Sequence, residues 1–191
     1  CFKDNLFSFN NTTTLGSGTY TSTWYFGDGS AETAFNPSNK SYSLYNTLYK
    51  VKLVTNTVNN CKDSIEKNIN LFASPVVDFM VNDSEQCLKS NLFNFVNTTT
   101  INNGTYSSAW SFDDNITSGL LSPNHNYTNA NNYFVKLKIT SNNNCKDSLI
   151  KLMKVFHQPV VDFSINDSTQ CLKGNSFLFT NNSNIGAGTY T

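Results

Sequence analysis

The feature that most constrains this chain is an internal repeat. A motif that begins with a cysteine and runs into two alternating Phe residues starts at Cys1 and recurs at Cys87 and Cys171, at intervals of 86 residues (1 to 87) and 84 residues (87 to 171). Self-similarity at a fixed period predicts a row of equivalent structural units. The period divides the chain into a first repeat (residues 1–72), a second repeat (73–156) and a third repeat segment (157–191).

Each repeat contains short runs in which apolar and polar residues alternate. Such a period of two predicts half-buried strands. In the second repeat five strands follow from it: A at 77–81, B at 93–95, C at 110–112, F at 133–139 and G at 149–155. Short strands D and E are expected within 121–127, and within 35–42 of the first repeat. Seven short strands with Asn-, Gly- and Ser-rich turns predict an all-β, immunoglobulin-like sandwich for each unit.

The repeats differ in how complete they are. The first lacks strand A, the second contains all seven strands, and the third contains only strands A and B. The linkers around Pro75 and Pro159 run almost directly from strand G into the next strand A. We therefore expect neighbouring domains to stack in a stiff linear array.

The turn after predicted strand C carries a resemblance to a known family. Residues 24–29 are Trp-Tyr-Phe-Gly-Asp-Gly and are followed by Pro37, Tyr42 and an alternating run at 49–53. This order resembles the polycystic-kidney-disease (PKD) domain, which implies tandem PKD-type sandwiches. The second repeat keeps Pro-Asn-His-Asn-Tyr at 123–127 but has Phe-Asp-Asp-Asn in the turn, whereas the first repeat has Lys40 in place of the His.

Tandem PKD domains with paired cysteines and an Asn- and Thr-rich composition resemble the repeats of very large surface adhesins of gliding Bacteroidetes, which the type IX secretion system exports. The resemblance implies spacer repeats of a long extracellular filament at the cell surface. Their partners would be neighbouring repeats of the same polypeptide, with surface polysaccharide or other cell-surface components beyond them. The alternative is a set of accessory modules that bind carbohydrate or position substrate for a secreted hydrolase.

Charge excludes some partners. The chain has 13 Lys plus Arg and 13 Asp plus Glu, a formal net charge of zero. A neutral surface argues against binding nucleic acid or an anionic membrane. The sequence contains neither a secretory apolar segment nor an apolar run long enough to cross a membrane. Cysteines that recur in each repeat indicate an oxidising compartment.

The pattern of His, Cys, Asp and Glu residues predicts no catalytic, cofactor or metal site. We therefore expect that the chain is not an enzyme. His125 and His157 do not recur at matching positions, and His125 is expected to bond to the neighbouring turn from strand E. The cysteine spacing offers no zinc motif. Asp28 is predicted to cap backbone amides of its turn. Calcium is the alternative that stays open, because Asp83 and Asp167 lie in the A–B loops near the predicted junctions.

Aromatic residues at alternating positions predict the core. The four that define it are Trp24, Phe26, Trp110 and Phe112. Phe134 differs because it occupies an outward position of strand F, where a sugar or a partner domain could stack on it.

Strand directions predict how the cysteines pair. If strand A runs up and each following strand reverses, Cys87 lies at the top of the second repeat and Cys145 at its bottom. A strand of six residues spans about 20 Å, whereas a disulfide needs Cα atoms within about 7 Å. The top of one domain meets the bottom of the next, so we predict an inter-domain bond between Cys1 and Cys145. The remaining cysteines are expected to pair outside this chain: Cys61, Cys87 and Cys171.

The resemblance also implies O-glycosylation at Asp-Ser or Asp-Thr followed by an apolar residue or Thr. Three serines match that pattern: Ser64, Ser148 and Ser168. Alternation places Ile65 and Leu149 inward, so Ser64 and Ser148 are expected to point outward. The alternative is that Asp-Ser merely begins strand G after a turn.

Overall fold

The computed structural model describes residues 1–186, so the last five residues, which we assigned to the third repeat segment, lie outside the described residues. The described chain is all-β, without helices. Its strands are β1 Tyr20–Tyr25, β2 Ala31–Glu32, β3 Thr47–Thr57, β4 Lys62–Leu71, β5 Phe79–Val81, β6 Glu85–Cys87, β7 Phe93–Asn97, β8 Tyr106–Ser111, β9 Thr117–Ser118, β10 Asn124–His125, β11 Asn131–Ser141, β12 Lys146–Phe156, β13 Phe163–Ile165 and β14 Phe179–Asn181.

The first repeat forms one four-stranded sheet in the order β2-β1-β3-β4. The long hairpin β3–β4 pairs from Thr47 opposite Leu71 to Asn56 opposite Lys62. Predicted strand B is reduced here to a single antiparallel bridge between Phe7 and Lys40. The core cluster consists of Trp24, Phe26, Tyr42, Tyr49, Val51, Leu53 and Leu71.

The second repeat contributes two sheets, ordered β10-β7-β5 and β6-β12-β11-β8-β9. Aromatic side chains fill the space between β5, β7 and β8. The Trp110 ring centroid lies 5.0 Å from that of Phe79 and 5.4 Å from that of Phe95. All three side chains are almost fully buried. The two sheets therefore form the layers of a β-sandwich.

Predicted strand A divides into two strands that join different sheets. Strand β5 pairs antiparallel with β7, whereas β6 pairs parallel with β12. Between them, the Asn82 side chain donates to the Leu92 carbonyl at 3.0 Å, and the Asp83 carboxylate accepts the Glu85 N–H at 3.0 Å. These bonds bend the chain from one sheet to the other. The second repeat therefore has eight strands instead of the predicted seven.

The placement of strand D within 121–127 was wrong. The strand after β8 is β9, and it pairs at once with β8 through Trp110 opposite Ser118. A tight turn reverses the chain directly after β8. In this turn Asn115 has a left-handed φ of 70°, and the Asp114 carboxylate accepts the Ile116 N–H at 3.1 Å. Predicted strand E corresponds to β10.

The third repeat segment forms the hairpin pair β13–β14, with Phe163 opposite Asn181. Its apolar side chains are exposed, including Phe163 at 61% and Phe179 at 63%. In the second repeat the matching Phe79 and Phe95 are buried against Trp110 of the other sheet.

The described chain divides into two compact units. One contains Cys1–Val77, Thr99–Ser107 and Ile139–Asp147, and the other contains Asp78–Thr98, Ser108–Lys138 and the residues from Ser148 onward. The repeat boundaries at 72/73 and 156/157 are sequence periods and stay predictions. Within residues 1–186 there is no helix with the length and apolarity that crossing a membrane requires.

Candidate functional site

The turn between β11 and β12 holds a cysteine in a fixed position. Ser141 donates its backbone N–H to the Cys145 carbonyl at 2.8 Å, and the Cys145 N–H is donated to the Ser141 hydroxyl oxygen at 3.0 Å. Asn144 adopts a left-handed φ of 58°, which Asn tolerates better than most residues.

The first repeat builds the same turn between β3 and β4. Thr57 donates its N–H to the Cys61 carbonyl at 3.0 Å, and the Cys61 N–H is donated to the Thr57 hydroxyl oxygen at 3.1 Å. Asn60 has a φ of 61°. Cys61 and Cys145 therefore lie on equivalent hairpin turns.

A disulfide joins Cys145 to Cys1, which lies 144 positions earlier in the chain, with the two Cα atoms 5.4 Å apart. Next to Cys1, the Phe2 N–H is donated to the Phe72 carbonyl just beyond the end of β4. The bond links the start of the first repeat to the hairpin turn of the second, and it is the pair that the strand count predicts. Cys87 lies instead in register with Phe156, the last residue of β12.

An ion pair accompanies the disulfide. Lys3 Nζ lies 3.0 Å from Asp147 Oδ1, and the Lys3 backbone N–H is donated to the Ser74 hydroxyl oxygen at 3.0 Å. The hydrogen bond to Asp147, followed by the charge of that carboxylate, raises the pKa of Lys3. Solvent screens this exposed pair, so it orients the two segments more than it stabilises them.

An aromatic and amide contact completes the site. The Phe2 and Tyr45 rings meet edge to face at 5.1 Å, and Asn102 Nδ2 donates to the Tyr45 hydroxyl oxygen at 2.9 Å. Asn46 Nδ2 donates to the Asn102 carbonyl at 3.2 Å. We call the Cys1–Cys145, Lys3–Asp147 and Tyr45–Asn102 contacts the cystine junction. Each of them joins a residue of the first repeat to a residue of the second.

Both halves of the cystine junction recur in the sequence. Cys-x-Lys stands at 1–3, 87–89 and 171–173, and Cys-Lys-Asp stands at 61–63 and 145–147. The cysteine and its charged neighbour are two positions apart in every copy. This recurrence is the signal by which the Lys3–Asp147 pair could have been found from the sequence, and we missed it.

The other cysteines are exposed. Within residues 1–186, Cys61, Cys87 and Cys171 form no disulfide. Cys61 occupies the Cys145 position of its repeat, and the other two occupy the Cys1 position. Their pairing outside this chain stays a prediction.

The turn after β1 is held by a charged pair. Lys40 Nζ lies 2.8 Å from Asp28 Oδ2 and 5.3 Å from the centre of the Phe26 ring, and Asp28 also accepts the Ser30 N–H at 3.0 Å. Burial by itself would raise the pKa of Asp28, but the hydrogen bonds from Lys40 and Ser30 and the Lys40 charge together lower it to about 2. Asp28 therefore caps its turn and is fully ionised near neutral pH.

The second repeat places a histidine where the first has Lys40. His125 Nε2 lies 2.7 Å from Asp114 Oδ2, and the imidazole stacks on the Phe112 ring at 4.2 Å. The turn also keeps its backbone conformation without glycine, because Asp113 and Asn115 have φ values of 67° and 70°. Both repeats therefore pair the carboxylate of this turn with a basic side chain.

Residues 72–155 match the PKD domain family. PKD domains are typically non-catalytic modules of extracellular proteins. No curated protein matches the chain.

Three solved structures are similar to the chain. The PKD1 domain of the Vibrio cholerae metalloprotease PrtV shares 28% identity over 43% of this chain and 96% of that domain, with a TM-score of 0.38. The fibronectin(III)-like modules of Clostridium thermocellum CbhA share 12% identity over 76% of this chain and 81% of theirs, with a TM-score of 0.41. Three N-terminal domains of the bacteriophage RB49 outer capsid protein Hoc share 14% identity over 91% of this chain and 61% of theirs, with a TM-score of 0.42.

A buried tyrosine anchors the turn after β1 in the first repeat and the turn after β8 in the second. Tyr42 donates its hydroxyl to the Phe26 carbonyl at 3.0 Å, and Tyr127 donates to the Phe112 carbonyl at 2.9 Å. Burial raises the pKa of Tyr42 to about 12 and also raises the pKa of Tyr127. Asn91 in turn bonds both the N–H and the carbonyl of Tyr127. Sequence reasoning did not assign these bonds.

The two carboxylates that we considered as calcium ligands accept backbone N–H groups of their own loops. Asp83 accepts the Glu85 N–H and Asp167 accepts the Thr169 N–H, each at 3.0 Å. In the part of the chain that the structure describes, no three or more His, Cys, Asp or Glu side chains form a group that could hold a metal ion.

The serines of the glycosylation pattern are all exposed: Ser64, Ser148 and Ser168. Leu149 is half-buried, as alternation predicts, but the inward placement of Ile65 was wrong, because its side chain is 56% exposed. Strand β4 lies at an open sheet edge, whereas β12 is flanked by β6. The described first repeat has one sheet where the second has two, so no second sheet packs on the face that carries Ile65.

The predicted core aromatics are buried: Trp24, Phe26, Trp110 and Phe112. Phe134 lies outward and is 58% exposed. His157, predicted to have no role in binding or catalysis, is exposed.

Proposed function

We propose that the chain is a run of PKD-type spacer repeats in a long extracellular filament, of the kind that a mobile adhesin of a gliding cell would use to project its binding region from the surface. The observation that carries the proposal is the cystine junction. It ties one repeat covalently to the next, which a spacer under tension needs and an isolated accessory module does not.

The recurrence of both half-junctions supports the same function. Cys61 and Asp63 offer the Cys-Lys-Asp half, and Cys87 and Lys89 offer the Cys-x-Lys half. Opposite charges beside the cysteines would favour pairing of unlike halves, and the Lys3–Asp147 ion pair beside the Cys1–Cys145 bond supports this. The chain thus carries the groups needed to continue the same junction with neighbouring repeats of the same polypeptide.

The test is the architecture of the native protein. An antibody against the second repeat would isolate the full-length protein from the producing cells, and peptide mass spectrometry would define its domains. We expect many copies of the period and immunogold labelling along surface fibres. A single pair of repeats beside a hydrolase domain would refute the spacer function.

Binding to polysaccharide separates the two functions in the chain itself. A spacer is expected not to sediment with insoluble cellulose or chitin beyond a protein control. An accessory module is expected to sediment and to lose binding in Phe134→Ala, which removes the exposed ring from β11 without touching the core. Sedimentation that depends on Phe134 would favour the accessory function.

We also propose that Ser64, Ser148 and Ser168 carry O-linked glycans in the native protein. Their exposure supports this, since a glycan needs an outward hydroxyl. Intact-mass analysis of native protein should show hexose increments that disappear stepwise in Ser→Ala variants. A native mass equal to that of the unmodified chain would contradict the proposal.

A further inference from the structure

We infer that the cystine junction is a mechanical bypass: when this chain is pulled at its two ends, the force that enters at Cys1 passes through the disulfide to Cys145 and leaves along β12, so residues 2–144 carry no load. The inference concerns the covalent path through this chain. Its extension to further repeats rests on the proposed filament function.

The bypass follows from where the bonded cysteines lie. Cys1 precedes every strand described for the first repeat, and Cys145 immediately precedes β12. The enclosed loop therefore contains β1 to β11, including Trp24 and most of the core around Trp110. Tension cannot open that loop while the disulfide holds, because the two ends of the loop are joined at a Cα separation of 5.4 Å.

The segment that does carry the load is already extended. Beyond Cys145 the chain continues as β12, which contains 11 residues. A strand rises about 3.3 Å per residue and a fully stretched chain about 3.3–3.6 Å. A force along β12 therefore lengthens this segment by almost nothing.

The remaining cysteines extend this path into two covalent tracks. Cys61 and Cys87 are 26 positions apart (61 to 87), as are Cys145 and Cys171 (145 to 171). Each pair brackets a strand G, a linker and the following strand A, of which β4, β5 and β6 are the described example. Suppose that each Cys-x-Lys cysteine bonds the Cys-Lys-Asp cysteine of the following repeat, as Cys1 bonds Cys145. The disulfides at successive boundaries between repeats then belong alternately to one track and to the other. Each track then skips the sandwich cores.

The bonds need an oxidising exterior. Forming each one removes two protons and two electrons from two thiols, which an extracellular disulfide-exchange partner accepts as it is itself reduced to a dithiol. The groups that direct the pairing are the Lys and Asp side chains beside the cysteines, as in the Lys3–Asp147 pair.

Single-molecule pulling on the full chain tests the bypass. The chain would be held by enzymatically attached handles at both termini, with the exposed thiols of Cys61, Cys87 and Cys171 blocked by alkylation. We expect the stretched oxidised chain to be shorter than the reduced chain by roughly 500 Å, which is 144 residues at about 3.5 Å each. Cys1→Ser should reach the long length without reductant, and Cys87→Ser should behave like the oxidised wild type.

Two outcomes would overturn the inference. An oxidised chain that already stretches to the reduced length would show that the bond does not carry the load. In a non-reduced digest of the native protein, two Cys-Lys-Asp cysteines bonded to each other would refute the two tracks. A short oxidised length in a protein that has no further repeats would keep the bypass and reject only the filament function.

Discussion

At the scale of single residues, the two repeats hold the same turn with different side chains. The carboxylates of Asp28 and Asp114 both bond a basic group that packs on an aromatic ring, Lys40 in one repeat and His125 in the other. The Lys40 Nζ and Asp28 Oδ2 atoms lie 2.8 Å apart and form a partly exposed charge pair. Such a partly exposed pair contributes about 1 kcal/mol or less.

Acid should weaken the first repeat through Asp28. Its folded pKa of about 2 lies below the usual 3.8, so its contribution to the free energy of unfolding is present above about pH 4 and is lost as the pH falls through 2. Asp28→Asn should lower stability at pH 7 by up to about 1 kcal/mol and remove this part of the acid dependence. The indole N–H signal of Trp24 in heteronuclear NMR, followed during urea titration, measures it.

The matched control is Asp4→Asn, because Asp4 is an exposed carboxylate whose left-handed φ of 57° Asn also tolerates. It should leave the Trp24 transition unchanged. An equal shift in both variants would mean that net charge, and not the Lys40 pair, explains the loss.

The buried tyrosine hydroxyl gives a second residue-scale prediction. Tyr127→Phe leaves the Phe112 carbonyl without its 2.9 Å donor, and an unsatisfied buried acceptor costs about 1–3 kcal/mol. Urea unfolding followed by the Trp110 indole signal should show this loss. Tyr25→Phe, at an exposed ring, should change stability by less than about 0.5 kcal/mol, and a Tyr127→Phe value in that range would contradict the assignment.

At the scale of elements, β4 and β12 are equivalent strands with different neighbours. Strand β12 is flanked by β11 and β6, whereas β4 ends its sheet. The Lys154 N–H is donated to the Ser84 carbonyl at 2.8 Å. At the matching position in β4, the Asn70 N–H faces the open edge.

Hydrogen exchange should report this difference. We expect the Lys154 amide to exchange roughly tenfold or more slowly than the Asn70 amide, because opening β6 must precede exchange at Lys154. The Val51 amide in β3, which is flanked on both sides, serves as the protected reference. Equal rates at Lys154 and Asn70 would show that the parallel β6–β12 pairing does not persist in solution.

At the scale of the whole molecule, the disulfide closes a loop of 144 positions and so removes much of the freedom of the unfolded chain. Cross-links over loops of this size contribute about 2–5 kcal/mol. The contribution adds to the core of each repeat and does not depend on the exposed Lys3–Asp147 pair.

Cys1→Ser should therefore lower the free energy of unfolding by about 2–5 kcal/mol, seen as a lower urea midpoint for the Trp24 and Trp110 signals. Cys61→Ser is the control, since Cys61 is exposed and unbonded in the described chain. It should change stability by less than about 0.5 kcal/mol. Coincident midpoints for Cys1→Ser and Cys61→Ser would contradict a stabilising role for the cystine.

The sequence by itself determined the features that depend on local alternation and on chain direction. The period of the repeat, the long strands later described as β3 and β11, and the burial of Trp24 and Trp110 follow from which residues alternate. The choice of Cys1 and Cys145 follows from counting reversals of direction between successive strands. Neither alternation nor strand direction requires knowing which residues distant in the sequence are in contact.

The tertiary structure alone decided what lies opposite each segment. Residues 85–87 leave the first sheet for the second because Asn82 and Asp83 bend the chain, which alternation does not encode. Ile65 is exposed because no second sheet of the described first repeat packs on its face. Lys3 lies beside Asp147 because the segment 1–3 and the hairpin turn before β12 converge. Alternation identifies the face on which a side chain lies, but only the folded chain determines what covers that face.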